Sequence, residues 1–196
     1  MINWKVIVFI GVVSFGTYQH FKNKAVTHGN GVMAAQSPQQ QSTTSADILL
    51  NGYRLKPLQT FILQARVLSV EHYSMDREAD LAPVDIALGW GPMSDEKVLK
   101  ELSISQSGRF YFWHVDNFPI PREQIEQNSA NMHMIPADKS VEKTLKNVKT
   151  GQIVDISGYL VTATANDGWH WKSSLTRNDT GAGACEVVYV KRVKVR

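Results

Sequence analysis

The chain has little of what would identify an enzyme from its sequence. It contains a single cysteine in 196 residues, Cys185, so no disulfide can form within the chain. No pair of its histidines shows the spacing His-x-Glu or His-Glu-x-x-His, and no glycine-rich phosphate-binding fingerprint is present. These absences exclude the enzyme classes that such motifs define. The sequence predicts no metal site and no cofactor.

Charge and composition place few limits on function. The formal net charge at pH 7 is +3, and part of it comes from the basic residues 191–196. A short basic end is usually solvated, so it does not require a nucleic-acid partner. With 43% hydrophobic residues, the chain is long enough for one well-packed domain.

One long apolar run lies near the N-terminus. Residues 2–21 contain a single charge, Lys5, and approach the ~20 residues that a helix needs to cross the hydrocarbon of a bilayer. Trp4 and Tyr18 occupy positions typical of interfacial aromatic side chains. A small-residue stretch that would fit a signal-peptide cleavage site, 32–34, lies too far beyond the run. Residues 1–24 therefore predict an uncleaved transmembrane signal anchor.

Residues 25–46 predict a flexible Gln/Ser/Thr-rich linker, because residues 36–45 have the composition of a spacer. Lys5 precedes the apolar run, and Lys22 and Lys24 follow it. The positive-inside rule is therefore nearly balanced and leans slightly against export. The spacer favours a domain held off the membrane surface. We predict a single-pass inner-membrane protein with a periplasmic C-terminal domain.

Residues 47–196 predict one globular α+β domain. Five segments have the alternation or the β-branched and aromatic content of strands: 61–73, 109–114, 153–163, 169–174 and 185–195. Capping residues and apolar spacing predict short helices after Pro83, Ser94, Pro121 and Asp138. Short helices inserted between five strands favour a small, curved antiparallel β-barrel that resembles an OB-fold.

The polar loop 173–183 lies between the last two predicted strands. Its glycines beside Arg177 could present backbone N–H groups as an anion-binding nest, although such glycines more often only allow the chain to turn. Asp179-Thr180-Gly181 also spells the catalytic tripeptide of the aspartic proteases. No apolar strand precedes this aspartate and only one strand's length of chain follows it, so we exclude that activity.

The candidate binding residues come from three segments. Asn131 and His133 fall on the same face if their segment is extended, and we predict that they form a binding site with Arg177 and Asp179. Trp90 lies in a glycine–proline turn, where a tryptophan can be an exposed contact residue.

Histidines and the cysteine offer alternatives that are less common in proteins. Cys185 with His133 or His170 could act as nucleophile and base, but a small buried cysteine at the start of a strand is far commoner. His72, His114, His133 and His170 lie on or beside predicted strands and could converge on a metal, although ordinary hydrogen-bonded histidines are commoner.

Three long strings carry a family resemblance: PVDIALGWGPMSD at 83–95, SANMHMIPA at 129–137 and SLTRNDTGAGACE at 174–186. They resemble an uncharacterised family of bacterial membrane-anchored proteins, and the resemblance covers most of residues 60–196. It implies an anchored bacterial protein and brings no activity, substrate or cofactor with it.

Three functions are consistent with these features. The first is a membrane-tethered, non-enzymatic module that binds a protein partner in a cell-envelope complex. The second is an envelope hydrolase that uses His133 or His170 as general base, with Asp179 and Arg177 orienting and stabilising charge. The third is an OB-like module that binds single-stranded nucleic acid, which an exported domain disfavours.

Overall fold

The computed structural model describes residues 25–176 and 185–196. Of these residues, 46% lie in strands and 15% in helices, which fits an α+β domain dominated by sheet. Nowhere in the described ranges is a helix both long and apolar enough to span a bilayer. The predicted anchor, residues 1–24, lies outside these ranges.

Ten strands and three α-helices follow one another along the described chain. The strands are β1 (Gln39–Ser42), β2 (Ile48–Leu50), β3 (Tyr53–His72), β4 (Val84–Gly89), β5 (Ser103–Ser107), β6 (Phe110–His114), β7 (Ser129–Pro136), β8 (Ile153–Thr164), β9 (His170–Lys172) and β10 (Glu186–Val195). The helices are α1 (Glu96–Leu99), α2 (Arg122–Gln127) and α3 (Lys139–Leu145), with 3₁₀ turns at Arg77–Asp80 and Gly91–Ser94.

Five of the strands pair in a closed ring. β3 pairs with β4, β4 with β7, β7 with β10, β10 with β8, and β8 again with β3. The β7–β10 pair is parallel and the other four are antiparallel, so the expectation of a wholly antiparallel sheet is wrong. β1 and β2 pair with the first part of β3, before the residues that pair with β4, and β5 and β6 form a separate hairpin.

The ring differs from the predicted set of five strands. Segments 153–163 and 185–195 were predicted correctly as β8 and β10, and segment 61–73 matches the second part of β3, which begins at Tyr53. Segment 109–114 instead forms β6 in the separate hairpin, and segment 169–174 gives the short β9 beside β8. The two remaining ring members are β4 and β7.

The expectation of a short helix after Pro83 is wrong, because that segment is β4. All six of its residues are buried, so both of its faces are covered. A strand buried on both faces shows no alternation of apolar and polar residues, and a short apolar run then fits helix and strand equally well. Pro83 and Gly89 on either side of this run therefore led to the prediction of a helix where the chain forms a strand.

The main core fills the inside of the ring and includes Phe61, Ile86, Met132 and Leu160. Helix α3 packs against this core through Val141, Leu145 and, just after the helix, Val148. Its predicted cap is confirmed, since the Asp138 carboxylate accepts hydrogen bonds from the backbone N–H groups of Ser140 and Val141. Pro121 likewise precedes α2 as predicted.

Residues 25–46 do not form the predicted flexible linker. Met33 and Ala34 donate backbone hydrogen bonds to the Ser94 hydroxyl, at 3.1 and 3.0 Å, and β1 pairs with β3. His28 donates its backbone N–H to Glu96, which forms a buried ion pair with Arg66. The low hydrophobicity of residues 36–45 predicted a spacer. The contacts of residues 25–46 with the domain are made mainly by the backbone, so they do not need apolar side chains. We call residues 25–36 the strap.

Replacing Ser94 with alanine is expected to loosen the strap. The Ser94 hydroxyl is fully buried and is the acceptor for two strap N–H groups, so its loss leaves them without a partner at a cost of about 1–3 kcal/mol. Hydrogen exchange at the amides of Met33 and Ala34 should accelerate. Ser103→Ala, at an exposed serine, serves as control; equal exchange in the two variants would contradict this role of Ser94.

Candidate functional site

A buried polar cluster lies on the outer face of β4 and β7. Asp85 of β4 is directly opposite His133 of β7, and Ala87 is opposite Asn131. The alternate residues Ile86, Met132 and Met134 point into the main core. Asp85 is 0% exposed, His133 3% and Asn131 5%, which is far below the usual exposure of such residues. The prediction that Asn131 and His133 share a face is confirmed.

Arg109 reaches this face from the turn of the β5–β6 hairpin. Its φ of 70° is in the left-handed region, which is unusual for a residue other than glycine. Its Nη1 donates to Asp85 Oδ1 at 2.8 Å and to the Ala82 carbonyl at 2.9 Å. Its Nη2 donates to Asp76 Oδ1 at 2.6 Å. One guanidinium therefore joins two carboxylates from different parts of the chain.

Aromatic side chains cover the ion pairs. The Tyr73 ring lies 3.7 Å from the Arg109 guanidinium carbon, and the Tyr73 hydroxyl accepts the Arg109 backbone N–H at 3.0 Å. Trp171 of β9 packs against His133 in a tilted arrangement, with 4.6 Å between the ring centroids. Its ring centre is also 5.8 Å from the guanidinium. Aromatic rings packed in this way shield the charges from water and strengthen their attraction.

Asn131 of β7 bonds the hairpin to the ring. Its Oδ1 accepts a hydrogen bond from Gln106 of β5 at 2.7 Å, and its Nδ2 donates to the Arg109 carbonyl at 3.0 Å. Cys185, at the start of β10, lies 3.9 Å from the same carbonyl through its Sγ. Tyr111 of β6 shares a hydrogen bond of 2.9 Å with Ser129, and burial raises its pKa to about 12. The inner face of the hairpin is thus bonded to the ring near its turn, through Gln106, Arg109 and Tyr111.

His133 Nδ1 lies 2.9 Å from Asp85 Oδ2. The approach lacks hydrogen-bond geometry, and neither atom has a hydrogen-bond partner among the described residues. The pair is therefore an electrostatic contact, which attracts when the imidazole is protonated.

The ion pairs shift the pKa values of their members. The hydrogen bonds from Arg109 hold the pKa of the Asp76 carboxyl below its usual range. Burial opposes the charge of Arg109, but the hydrogen bonds and charges of Asp76 and Asp85 outweigh it and raise its pKa. Burial raises the pKa of the Tyr73 hydroxyl. Arg109 and Asp76 therefore stay charged at neutral pH.

The lowered pKa of Asp76 leads to a prediction about how the stability of the fold depends on pH. A carboxyl with a lower pKa in the folded state stabilises the fold above its unfolded pKa of 3.8, and this contribution is lost as the pH falls through the folded pKa. Asp76→Asn should therefore be less stable than the wild type at neutral pH, and the difference should shrink as the pH falls below about 4 and through the folded pKa. Urea unfolding over this range measures it, with Asp116→Asn as an exposed control. A pH-independent difference would contradict it.

The cluster is poorly placed for catalysis by His133. A general base must come within hydrogen-bond reach of its substrate, whereas His133 is 3% exposed and lies under Trp171. His170 is exposed and points to the opposite side of β9 from Trp171. Within residues 25–176 and 185–196, no three of the histidine, cysteine and carboxylate side chains are grouped as metal ligands.

Trp90 is not the exposed contact residue that its glycine–proline turn predicted. It is 0% exposed and belongs to the main core, so this expectation is wrong. Arg177 and Asp179 lie outside the described residues. Sequence reasoning missed Asp76, Asp85 and Arg109. The signal was Gly108-Arg109 at the start of an aromatic strand, which fits a tight hairpin turn with a charged second residue.

The outer face of the hairpin carries two exposed aromatic side chains among serines and His114. Phe110 and Phe112 are 42% and 52% exposed, and their ring centroids are 6.4 Å apart. Across the hairpin they face Ser107 and Ser105, which are small and leave the rings open on that side. We call Phe110 and Phe112 the aromatic face.

Comparisons of the chain with protein-family models, with curated proteins and with solved structures found no match. The family resemblance of the strings at 83–95, 129–137 and 174–186 stays a prediction.

Proposed function

We propose that this protein is a membrane-anchored, non-enzymatic binding module of a bacterial cell-envelope complex, and that it holds a partner protein on the aromatic face. The observation that carries the proposal is the exposure of Phe110 and Phe112 on a hairpin whose other face is bonded to the ring. Exposed aromatic side chains on a fixed support are typical of protein interfaces, because they bury much apolar area with little loss of conformational entropy.

The polar cluster has a positioning role in this proposal. Asn131 bonds Gln106 of β5 and the carbonyl of Arg109 in the turn, and Asp85 and Asp76 bond the Arg109 guanidinium. A preorganised surface binds more tightly, because less freedom is lost when the partner docks. His133 and Asn131 then contribute to binding through the hairpin and do not touch the partner.

We further propose that the closed ring is a small barrel of the OB type. Five strands, one parallel pair and helix α3 between β7 and β8 support this architecture. OB-folds bind oligonucleotides on the face of their second and third strands, which here are β4 and β7. Arg109, Gln106 and Trp171 cover that face, and this counts against the nucleic-acid alternative.

The location also belongs to the proposal. The apolar run at residues 2–21 would anchor the protein in the inner membrane by a single span, with the domain in the periplasm. A partner in the envelope would then meet the aromatic face without entering the cytoplasm. The hydrolase alternative gains no support from His133, which is buried; its other candidate base, His170, is exposed, and Arg177 and Asp179 lie outside the described ranges.

Chemical crosslinking in membranes followed by pull-down tests the proposal. The full-length protein is compared with Phe110→Ser/Phe112→Ser and with Ile62→Ser, a control at a strand residue that is 55% exposed but lies on β3. Arg177→Ala/Asp179→Ala tests the polar loop in parallel, and circular dichroism shows that each variant is folded. We expect one partner to be captured by the wild type and the control and lost in the phenylalanine variant. Capture that is lost only in the loop variant would contradict the aromatic face.

A further inference from the structure

The strap contacts the rest of the domain within two residues of the predicted end of the anchor. The Val26 N–H donates to the Thr150 carbonyl at 2.8 Å, and His28 Nε2 donates to the Gly151 carbonyl at 2.7 Å. Gly151 has a φ of +88°, and a Cβ at this position would collide with the Val26 carbonyl oxygen. Two residues beyond the predicted end of the anchor, the chain is therefore fixed to the turn at Thr150 and Gly151. Two extended residues reach at most ~7 Å.

The surface beside this point is basic. Helix α3 and the residues after it carry Lys139, Lys143, Lys146 and Lys149; the one acidic residue within the helix, Glu142, forms an ion pair with Lys146. The first three lysines recur at intervals of four and three residues, so they share one exposed side of the helix. Val141, Leu145 and Val148 on the other side pack into the core. We call these four lysines the basic helix face.

We propose that the basic helix face lies on the anionic headgroups of the membrane that holds the anchor, so that the domain has a fixed orientation on the bilayer. The inference rests on the membrane anchor of the proposed function. The short connection keeps Thr150 near the headgroup region. Lysines within a Debye length of an anionic surface, about 8 Å at physiological salt, are attracted to it.

This orientation points the far end of the domain away from the membrane. Strand β8 begins at Ile153, close to Gly151, and runs for 12 residues to Thr164. At about 3.3 Å per residue its contour length is roughly 40 Å. The turn that follows contains Asp167, whose side chain is 60% exposed. Asp167 is therefore a suitable control position that stays in water.

Fluorescence quenching of the full-length protein in lipid vesicles tests this orientation. On a Cys185→Ser background, Asn147→Cys and Asp167→Cys each receive one fluorophore, and lipids with a spin label on the headgroup act as quencher. In vesicles containing phosphatidylglycerol we expect strong quenching at position 147 and little at position 167. Quenching at 147 should be lost in Lys143→Gln/Lys146→Gln/Lys149→Gln, or when phosphatidylcholine is the only lipid.

Three results would overturn the inference, and they differ in what else they overturn. If the protein floats with the vesicles but both positions are quenched equally, the domain has no fixed orientation on the bilayer, while the membrane anchor is supported. If the protein does not float with the vesicles, the anchor fails, and with it the membrane part of the proposed function. Quenching at 147 that does not depend on phosphatidylglycerol or the lysines contradicts the role of the basic helix face.

Discussion

Replacing Arg109 with methionine is expected to lower the free energy of unfolding by about 3–5 kcal/mol, the cost of breaking a buried ion pair. The Asp85 side chain is 0% exposed and its Oδ1 is 2.8 Å from Arg109 Nη1. Without the guanidinium, a buried carboxylate loses its main countercharge. Asp76 and the Ala82 carbonyl lose hydrogen bonds at the same time. Urea unfolding of the two proteins measures the difference.

Arg54→Met is the matched control for Arg109→Met. Arg54 also forms an ion pair, 3.2 Å from Asp47, but its side chain is 62% exposed. An exposed pair of this kind contributes less than about 1 kcal/mol. Adding Asp85→Asn to Arg109→Met should recover part of the loss, because the buried charge is then removed. If Arg109→Met costs no more than the control, the cluster does not hold the hairpin.

Replacing Gly158 with alanine is expected to destabilise the ring by about 3 kcal/mol, at the upper end of the usual cost of overpacking. Gly158 pairs with Phe61 of β3 on one side and with Val190 of β10 on the other. A Cβ at this position would collide with the backbone carbonyl of Tyr189 and come close to the Lys191 N–H. Because these are backbone atoms, the collision is relieved only if β8 and β10 separate.

Gly29→Ala controls for the loss of glycine itself, because a Cβ there has open space and its backbone is not in the left-handed region. Thermal unfolding followed by circular dichroism compares the two variants. We expect a clearly lower melting temperature for Gly158→Ala and little change for Gly29→Ala. Equal melting temperatures would contradict the close approach of β8 and β10.

Local signals predicted several elements correctly. Asp138 and Pro121 mark the starts of α3 and α2, and Gly158 marks a close backbone approach, as its place within an alternating strand indicated. The turn at Asn166 to Gly168 joins β8 to β9. Each of these depends on residues within a few positions of one another, so the sequence contains the whole signal.

Long-range contacts account for what the sequence did not predict. Arg109 bonds Asp76 and Asp85, which lie 33 and 24 residues away, and nothing in the local pattern of either segment indicates the pairing. The strap was missed for a related reason, because its backbone bonds residues about 60 positions further along. Trp90 was placed at the surface because a glycine–proline turn usually lies there, whereas its side chain belongs to the main core and the turn is bonded to the strap, since Gly91 donates to the Ala34 carbonyl at 2.7 Å.

Site-specific photocrosslinking in cells is the most direct test of the aromatic face. The photoreactive amino acid p-benzoyl-phenylalanine replaces Phe112 in the full-length protein, and Leu49, which is 76% exposed on β2, in a control. The account predicts a covalent adduct with one envelope protein from position 112 and none from position 49. Adducts from position 49 alone, from neither position, or with lipid only at position 112 would contradict it.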